Sequence, residues 1–420
     1  MLPPLIRIRQ RLNPTCLTNP KNSTKRKLKI LGLENLIRKG EKVGIAVGSR
    51  GIAALPQVLE ALVEVLVELG TKPVFVPAMG SHGGAKPKDQ KRLVAEIIGP
   101  KLACLPILAS MEVKKLGLTT SGLPVYFSAE ALAVDKLVLV NRIKPHTDFR
   151  GKIGSGLLKM LSIGLGKHKG AQVYHYHARE LGLERVIREV AKVILARAPV
   201  ALGIGLVENA FGQLAEIKAM EPKEFILADE IMLKKAIRLM PKLPFDEMNV
   251  LIVDEIGKDI SGNGLDTNIV GRYPSLHLNH PKIDVLFVRA LSEKSRGNAI
   301  GIGLADATTK KLVEQIDLEA TRVNCLTSQS IQLGRIPLVF ENDRHALEAL
   351  VRLLGLKLAE LKILWIRNTM QLSECFASVA YRTEIAARED LELVEENLSF
   401  SFDGQGNLLP PRRCEARDLA

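Results

Sequence analysis

The feature that most constrains what this chain can fold into is a repeated succession of short, unbroken apolar runs and helical stretches that begins near Lys42. Val43 to Val47 is the first run, and a turn rich in Gly and Ser follows it. Pro56 then suits a first helical position, and Leu59, Leu62, Val63, Leu66 and Leu69 recur at three-to-four spacing until Gly70 ends the pattern. A second run, Pro73 to Pro77, comes next, then a helix over Lys88 to Ile98 and a later β-branched run, Leu137 to Val140. Runs of this kind, apolar without alternation, belong to strands buried on both faces. Strand, helix and strand in this rhythm predict βαβ units on a parallel sheet.

Farther along, the spacing predicts one helix over 181–197, with Leu183, Val186, Ile187, Val190 and Ile194 as its apolar face, and another over 225–239. Residues 206–220 give no clear pattern. Pro241 and Pro244 mark 241–249 as a linker, and the cycle restarts at Val250 to Val253, with further strand candidates at 285–288, 336–340 and 363–366. The tail from Phe402 shows no periodicity. The expectation is an α/β protein of two domains, 1–248 and 249–420, the first a parallel-sheet, Rossmann-like domain, which a length of 420 residues accommodates.

Composition excludes several classes. With 46% hydrophobic and 25% charged residues the chain is neither disordered nor fibrous. Its net charge of +13 invites a nucleic-acid partner, yet the aromatic residues are sparse and nowhere alternate with basic ones as a base-stacking platform requires. Small anions are the better expectation, and the basic run Lys21 to Lys29 reads as a solvated segment. The five cysteines are scattered with no CxxC pair, pointing to a reducing compartment. No signal-peptide pattern and no apolar run long enough to span a bilayer occurs, so the expected setting is cytoplasmic, with no membrane partner.

Three candidate strands end in turns carrying polar residues: Gly48-Ser49-Arg50-Gly51, Gly80-Ser81-His82-Gly83-Gly84, and Asn141 to His146. In parallel α/β sheets the carboxyl ends of strands form the ligand crevice, so Arg50, His82 and His146 are candidates to converge there. Ordinary loop chemistry explains any one of these turns taken singly. The Gly-rich loop Gly151 to Gly156 leads into Leu157-Leu158-Lys159, where free amides at a helix start would hold an anion and Lys159 would reach it. It matches neither a Walker A loop nor a dinucleotide fingerprint, and a solvated helix lysine is the plain alternative. His175 and His177 are two apart, so on a helix they diverge by about 200° and do not easily share one metal. Surface histidines near a helix start would look the same.

Taken in order, GSRG (48–51), MGSHGG (79–84), IKPH (143–146), GSGLLK (154–159) and a histidine sixteen positions beyond that lysine resemble the nickel-pincer lactate racemase family over roughly residues 40–180. The resemblance implies two α/β domains with the active site in a cleft between them. It also implies a nickel-pincer nucleotide (pyridinium-3,5-bisthiocarboxylic acid mononucleotide nickel), whose sulfur and carbon atoms hold Ni from three sides. His175 matches the family's protein ligand to nickel, with His177 as the alternative. Lys159 matches the lysine that contacts the cofactor and in some members is joined to it, with Ser155 and Gly156 beside it as cofactor-binding. His82 and His146 match the paired catalytic histidines on opposite sides of the substrate, and Arg50 matches an arginine that binds cofactor or substrate. In the second domain Lys294, Arg296 and Asn298 are the candidates for substrate contacts.

The chemistry is consistent with those roles. Inverting a carbinol carbon means removing the hydroxyl proton and a hydride and returning the hydride to the other face. One neutral histidine serves as base for each enantiomer, the cofactor accepts the hydride, and a cation holds the carboxylate. The chain departs from the family at Val47, where an acid is usual, and at Gly83 and Leu158, where arginines are common. The expected activity is therefore racemisation or epimerisation of a 2-hydroxy acid that need not be lactate. Two other readings compete: an anion- or nucleotide-binding protein without turnover, and a basic nucleic-acid binder. A pure binder has no need of both His82 and His146.

Overall fold

The computed structural model describes residues 2–49, 51–273 and 280–413, and the chain divides into two compact units, Pro14–Met240 and Met1–Asn13 with Pro241–Ala420. The first strand, β1 (Leu5–Gln10), belongs to the second of these. In the unit Pro14–Met240, β2 (Lys42–Val47), β3 (Lys72–Pro77), β6 (Lys136–Arg142), β7 (Val200–Glu208) and β8 (Leu214–Met220) form a sheet in the order β3-β2-β6-β7-β8. It is parallel except at β8, and β4 (Val113–Leu118) pairs separately with β5 (Pro124–Ser128).

Alternation along β2 explains the continuous apolar run. Val43, Ile45 and Val47 pack on one face with α1 (Pro20–Leu31), α2 (Leu55–Glu68) and α3 (Pro87–Ile98). Ala46, Val74, Val76, Leu137 and Leu139 face the other layer, built from α4 (Lys167–Leu181), α5 (Leu183–Arg197) and α6 (Phe225–Leu239). With helices on both faces, the interior positions of β2, β3 and β6 are apolar on both sides.

Two segments differ from expectation. The helix read over 181–197 starts two residues later, as α5 from Leu183, because Gly182 at φ 79° and ψ 140° separates it from α4, which ends at Leu181. Residues 206–220, which carry no clear pattern, are the end of β7 and its antiparallel partner β8. Glycines at 203 and 205 hide β7, and they are there because a Cβ on Gly203 would lie 2.7 Å from Leu157 and one on Gly205 2.8 Å from Met232.

In the other unit β9 (Glu247–Ile256), β10 (Lys282–Leu291), β11 (Ala307–Thr309), β12 (Leu338–Phe340) and β13 (Ile363–Ile366) are parallel. β14 (Glu374–Ser378), β1, β15 (Leu391–Phe402) and β16 (Leu408–Arg413) continue the sheet antiparallel, in the overall order β12-β11-β10-β9-β13-β14-β1-β15-β16. Among its helices are α7 (Leu318–Thr327) and α8 (Asp343–Leu354), and α8 lays Ala346, Leu347 and Leu350 on Val250, Ile252 and Phe287. The N-terminal residues, grouped by sequence with the first domain, are corrected here: β1 is sandwiched between β14 and β15, with Leu5, Ile6 and Ile8 fully buried. The tail read as aperiodic contains β16. No helix among the described residues is long and apolar enough to cross a membrane.

Candidate active site

The centre of the site is built where β6 ends. Beyond it, Lys144 and Ser155 exchange backbone hydrogen bonds of 2.8 and 2.9 Å, and the Asn141 side-chain amide donates to the Gly156 carbonyl at 2.8 Å. The segment bearing His146 and the one leading to Lys159 therefore run side by side. Leu157 and Leu158, both fully buried, anchor a short turn, Leu157–Lys159, that passes into a π-helical turn, Met160–Gly164. This brings Lys159 Nζ into contact with His146 Nε2.

His146 is only 5% exposed, stacks on Phe149 with ring centroids 4.6 Å apart, and accepts the Asp148 amide at Nδ1 over 3.0 Å. Burial pushes its pKa well below the ordinary imidazole value, and the charges of Lys159, His175 and Lys144 push the same way. His175, half-buried on α4, is also lowered, by burial first and Lys159 second, against a pull upward from Asp148. His146, Lys159, His175 and Lys144 thus share one neighbourhood. His177 stands about 200° round the helix from His175 and meets Tyr176 edge-on at 5.2 Å.

His82 is placed by a different set of contacts. Gly80, at φ +57°, turns the chain and donates to Gly164 O at 3.0 Å, which ties the loop after β3 to the π-helical turn following Lys159. The buried Gln90 side chain donates to Gly80 O and His82 O at 3.0 and 2.9 Å. His82 Nδ1 meets Ser49 Oγ at the end of the adjacent strand β2. The loop after β2 is held in turn by Glu208, which accepts from Ala53 N at 2.6 Å and pairs with Arg142. Arg50 lies outside the described residues.

Several expectations are corrected at this level. The free amides foreseen at the helix start are engaged: Leu157 N and Leu158 N donate to the buried carboxylate of Asp229 at 3.2 and 3.0 Å. Ser155 spends both its backbone groups on Lys144, so an external phosphate does not find its amide donors at Ser155, Leu157 or Leu158. Val47 and Leu158 are fully buried in the apolar cores. In the other unit, Lys294 and Arg296 are exposed, while Asn298 Oδ1 accepts from Ile300 N at 3.2 Å and is engaged locally. Beside them the loop after β9, unremarked in the sequence, carries Lys258 and Asp259, and Asp259 accepts from Ser292 Oγ at 2.5 Å.

Lys167 escaped the sequence as well, hidden among surface-like lysines. It is fully buried at φ +56°, and its ammonium donates to Pro77 O at 2.7 Å, clamping the start of α4 to the end of β3. Burial lowers its pKa to about 8 against a weaker upward pull from Glu130. Since the unfolded chain keeps this proton to a higher pH, stability rises as pH climbs from about 8 to 10.5, by about 3 kcal/mol from this group alone. Lys167→Met is expected to abolish that rise, read as the difference between native and variant unfolding free energies from denaturant titrations across that window.

The sequence profile of the lactate racemase N-terminal domain matches residues 16–182. No curated protein sequence matches the chain. Among solved structures, a Thermotoga maritima protein determined as a structural-genomics target aligns with a TM-score of 0.53 at 14% identity, over 77% of this chain and 84% of that one. The lactate racemase apoprotein of Thermoanaerobacterium thermosaccharolyticum gives a TM-score of 0.48 at 12% identity, over 80% of this chain and 87% of that one. The first likeness is one of fold, and the second is too distant to argue from. The matched segment contains β2, β3, β6 and α4, the elements around which His82, His146, Lys159 and His175 are placed, so this stretch of the chain is similar to a lactate racemase N-terminal domain.

Proposed function

We propose that the protein racemises or epimerises a 2-hydroxy acid and works with a nickel-pincer nucleotide. The observation that carries this reading is the juxtaposition of His146, Lys159 and His175 in a buried, cationic neighbourhood. Lys159 and Lys144 bring positive charge to the two imidazoles, and a phosphate-bearing cofactor with a carboxylate substrate would answer it.

The residues fit such a group. His175 is held toward its neutral form, in which imidazole donates a lone pair to a metal. Lys159 lies one contact from His146 and is the natural tether. When bound, the group would act as the hydride acceptor and donor. His146 takes the proton work. Nε2 is the nitrogen proposed to exchange a proton with a substrate hydroxyl once Lys159 turns to its ligand; to take that proton the neutral ring must carry its own on Nδ1, which requires the Asp148 amide contact to give way. His82 is assigned the same task for the mirror-image substrate. Arg50, Lys294 and Arg296 are proposed to hold the carboxylate.

Protein produced in a host that makes the cofactor should carry close to one nickel per chain, and its Lys159 peptide should show a mass shift that Lys159→Ala removes. Chains free of both, with nickel supply and cofactor pathway intact, would leave the binding-only reading in its place. A salt-dependent DNA-binding assay should show no affinity beyond weak, non-specific attraction.

A further inference from the structure

We propose that Asp229 is a positioning residue for Lys159: from α6, its carboxylate stands where an external anion would at the turn presenting the lysine, and so fixes where Nζ can reach. The inference rests on Lys159 being the cofactor-facing lysine of the proposed function.

Asp229 is 1% exposed and lies on a different element from the residues it grips. It takes the amides of Leu157 and Leu158 together. Each N–H has its own carboxylate oxygen, Leu157 N on Oδ1 and Leu158 N on Oδ2, an arrangement that Asn, with an NH2 donor in place of one oxygen, does not reproduce. Gly156 makes the room. A Cβ there would lie 2.7 Å from Asp229 Oδ2. Its φ of −165° is extended backbone that any residue adopts, so the glycine answers to the carboxylate and not to the chain path.

The nearby cation, Arg188, is engaged by Glu184 and Glu230 at 2.8 and 2.6 Å. Holding an acid this deep costs stability, and burial raises its pKa to about 6 against the two amides. A neutral acceptor would cap a three-residue turn without burying an acid. Lys159 belongs to a turn too short to hold itself and is followed by a π-helical one. It is fixed from β6 through Asn141 and Gly156 O, and from α6 through Asp229. Loss of either hold lets the lysine swing away from His146.

The test uses full-length protein made without the cofactor and reads acetylation of Lys159 relative to exposed Lys72 by mass spectrometry. Asp229→Asn keeps the shape but sets an amide nitrogen against one N–H; Gly156→Ala keeps the carboxylate and displaces it. Both should raise the Lys159:Lys72 ratio by about threefold or more, the scale of coupling between groups in contact. In an Asp229→Ala background, Gly156→Ala should add little, since the atoms it strikes are gone. A native ratio in either variant with native circular dichroism, or an undiminished Gly156→Ala effect without the carboxylate, would overturn the proposal. Neither nickel nor turnover enters the readout, so a failed racemase assignment is separately visible.

Discussion

His146→Ala is expected to lower turnover by roughly 10²–10⁴-fold, the range for removing a positioned acid–base group, while nickel stays bound. The ring is oriented by the Asp148 amide at Nδ1 and the face of Phe149, which aims Nε2 at Lys159. A water that filled the vacated space would be neither oriented nor matched in pKa. The variant also leaves the Asp148 N–H without its acceptor, at about 1–2 kcal/mol. Melting temperature and turnover should therefore be measured together: a small shift in the first with a collapse of the second marks chemistry, and proportionate losses mark folding. His82→Ala should cause a similar loss with nickel retained.

His175→Ala should give the opposite pattern, with nickel falling from near one per chain to background. The proposed reason for so large an effect is that His175 alone would supply the protein's ligand to the bound group. His177→Ala is the matched control, because it stands about 200° round the helix from His175 and its ring meets Tyr176. Metal analysis of the two variants beside the native protein decides the assignment. Loss in His177→Ala with retention in His175→Ala would reverse it.

Much of the first unit was legible because its physics is local. Unbroken apolar runs at β2, β3 and β6 follow from two helix layers, and the three-to-four spacing of α2, α3 and α6 follows from one buried stripe each. What escaped depends on partners distant in sequence. β1 reads as nothing until β14 and β15, more than 360 residues away in part, pair with it. The helix start before Lys159 has the sequence of an anion site, and only the fold reveals that Asp229, some 70 residues on, already fills it. Lys167 looks like any surface lysine in a basic segment. Its burial comes from the approach of β3, which no spacing rule encodes. That Val47 and Leu158 both face the core was likewise not legible, since it depends on the helix layers that cover them.

The central claim is that this neighbourhood inverts the configuration of a 2-hydroxy acid. Its most direct test offers nickel-loaded protein single enantiomers from a panel of 2-hydroxy acids, including lactate and sugar acids, and follows configuration by chiral chromatography. The account predicts that at least one acid approaches its equilibrium mixture from both sides, and that neither His82→Ala nor His146→Ala brings this about. Unchanged configuration across the panel, with nickel at one per chain, would contradict it.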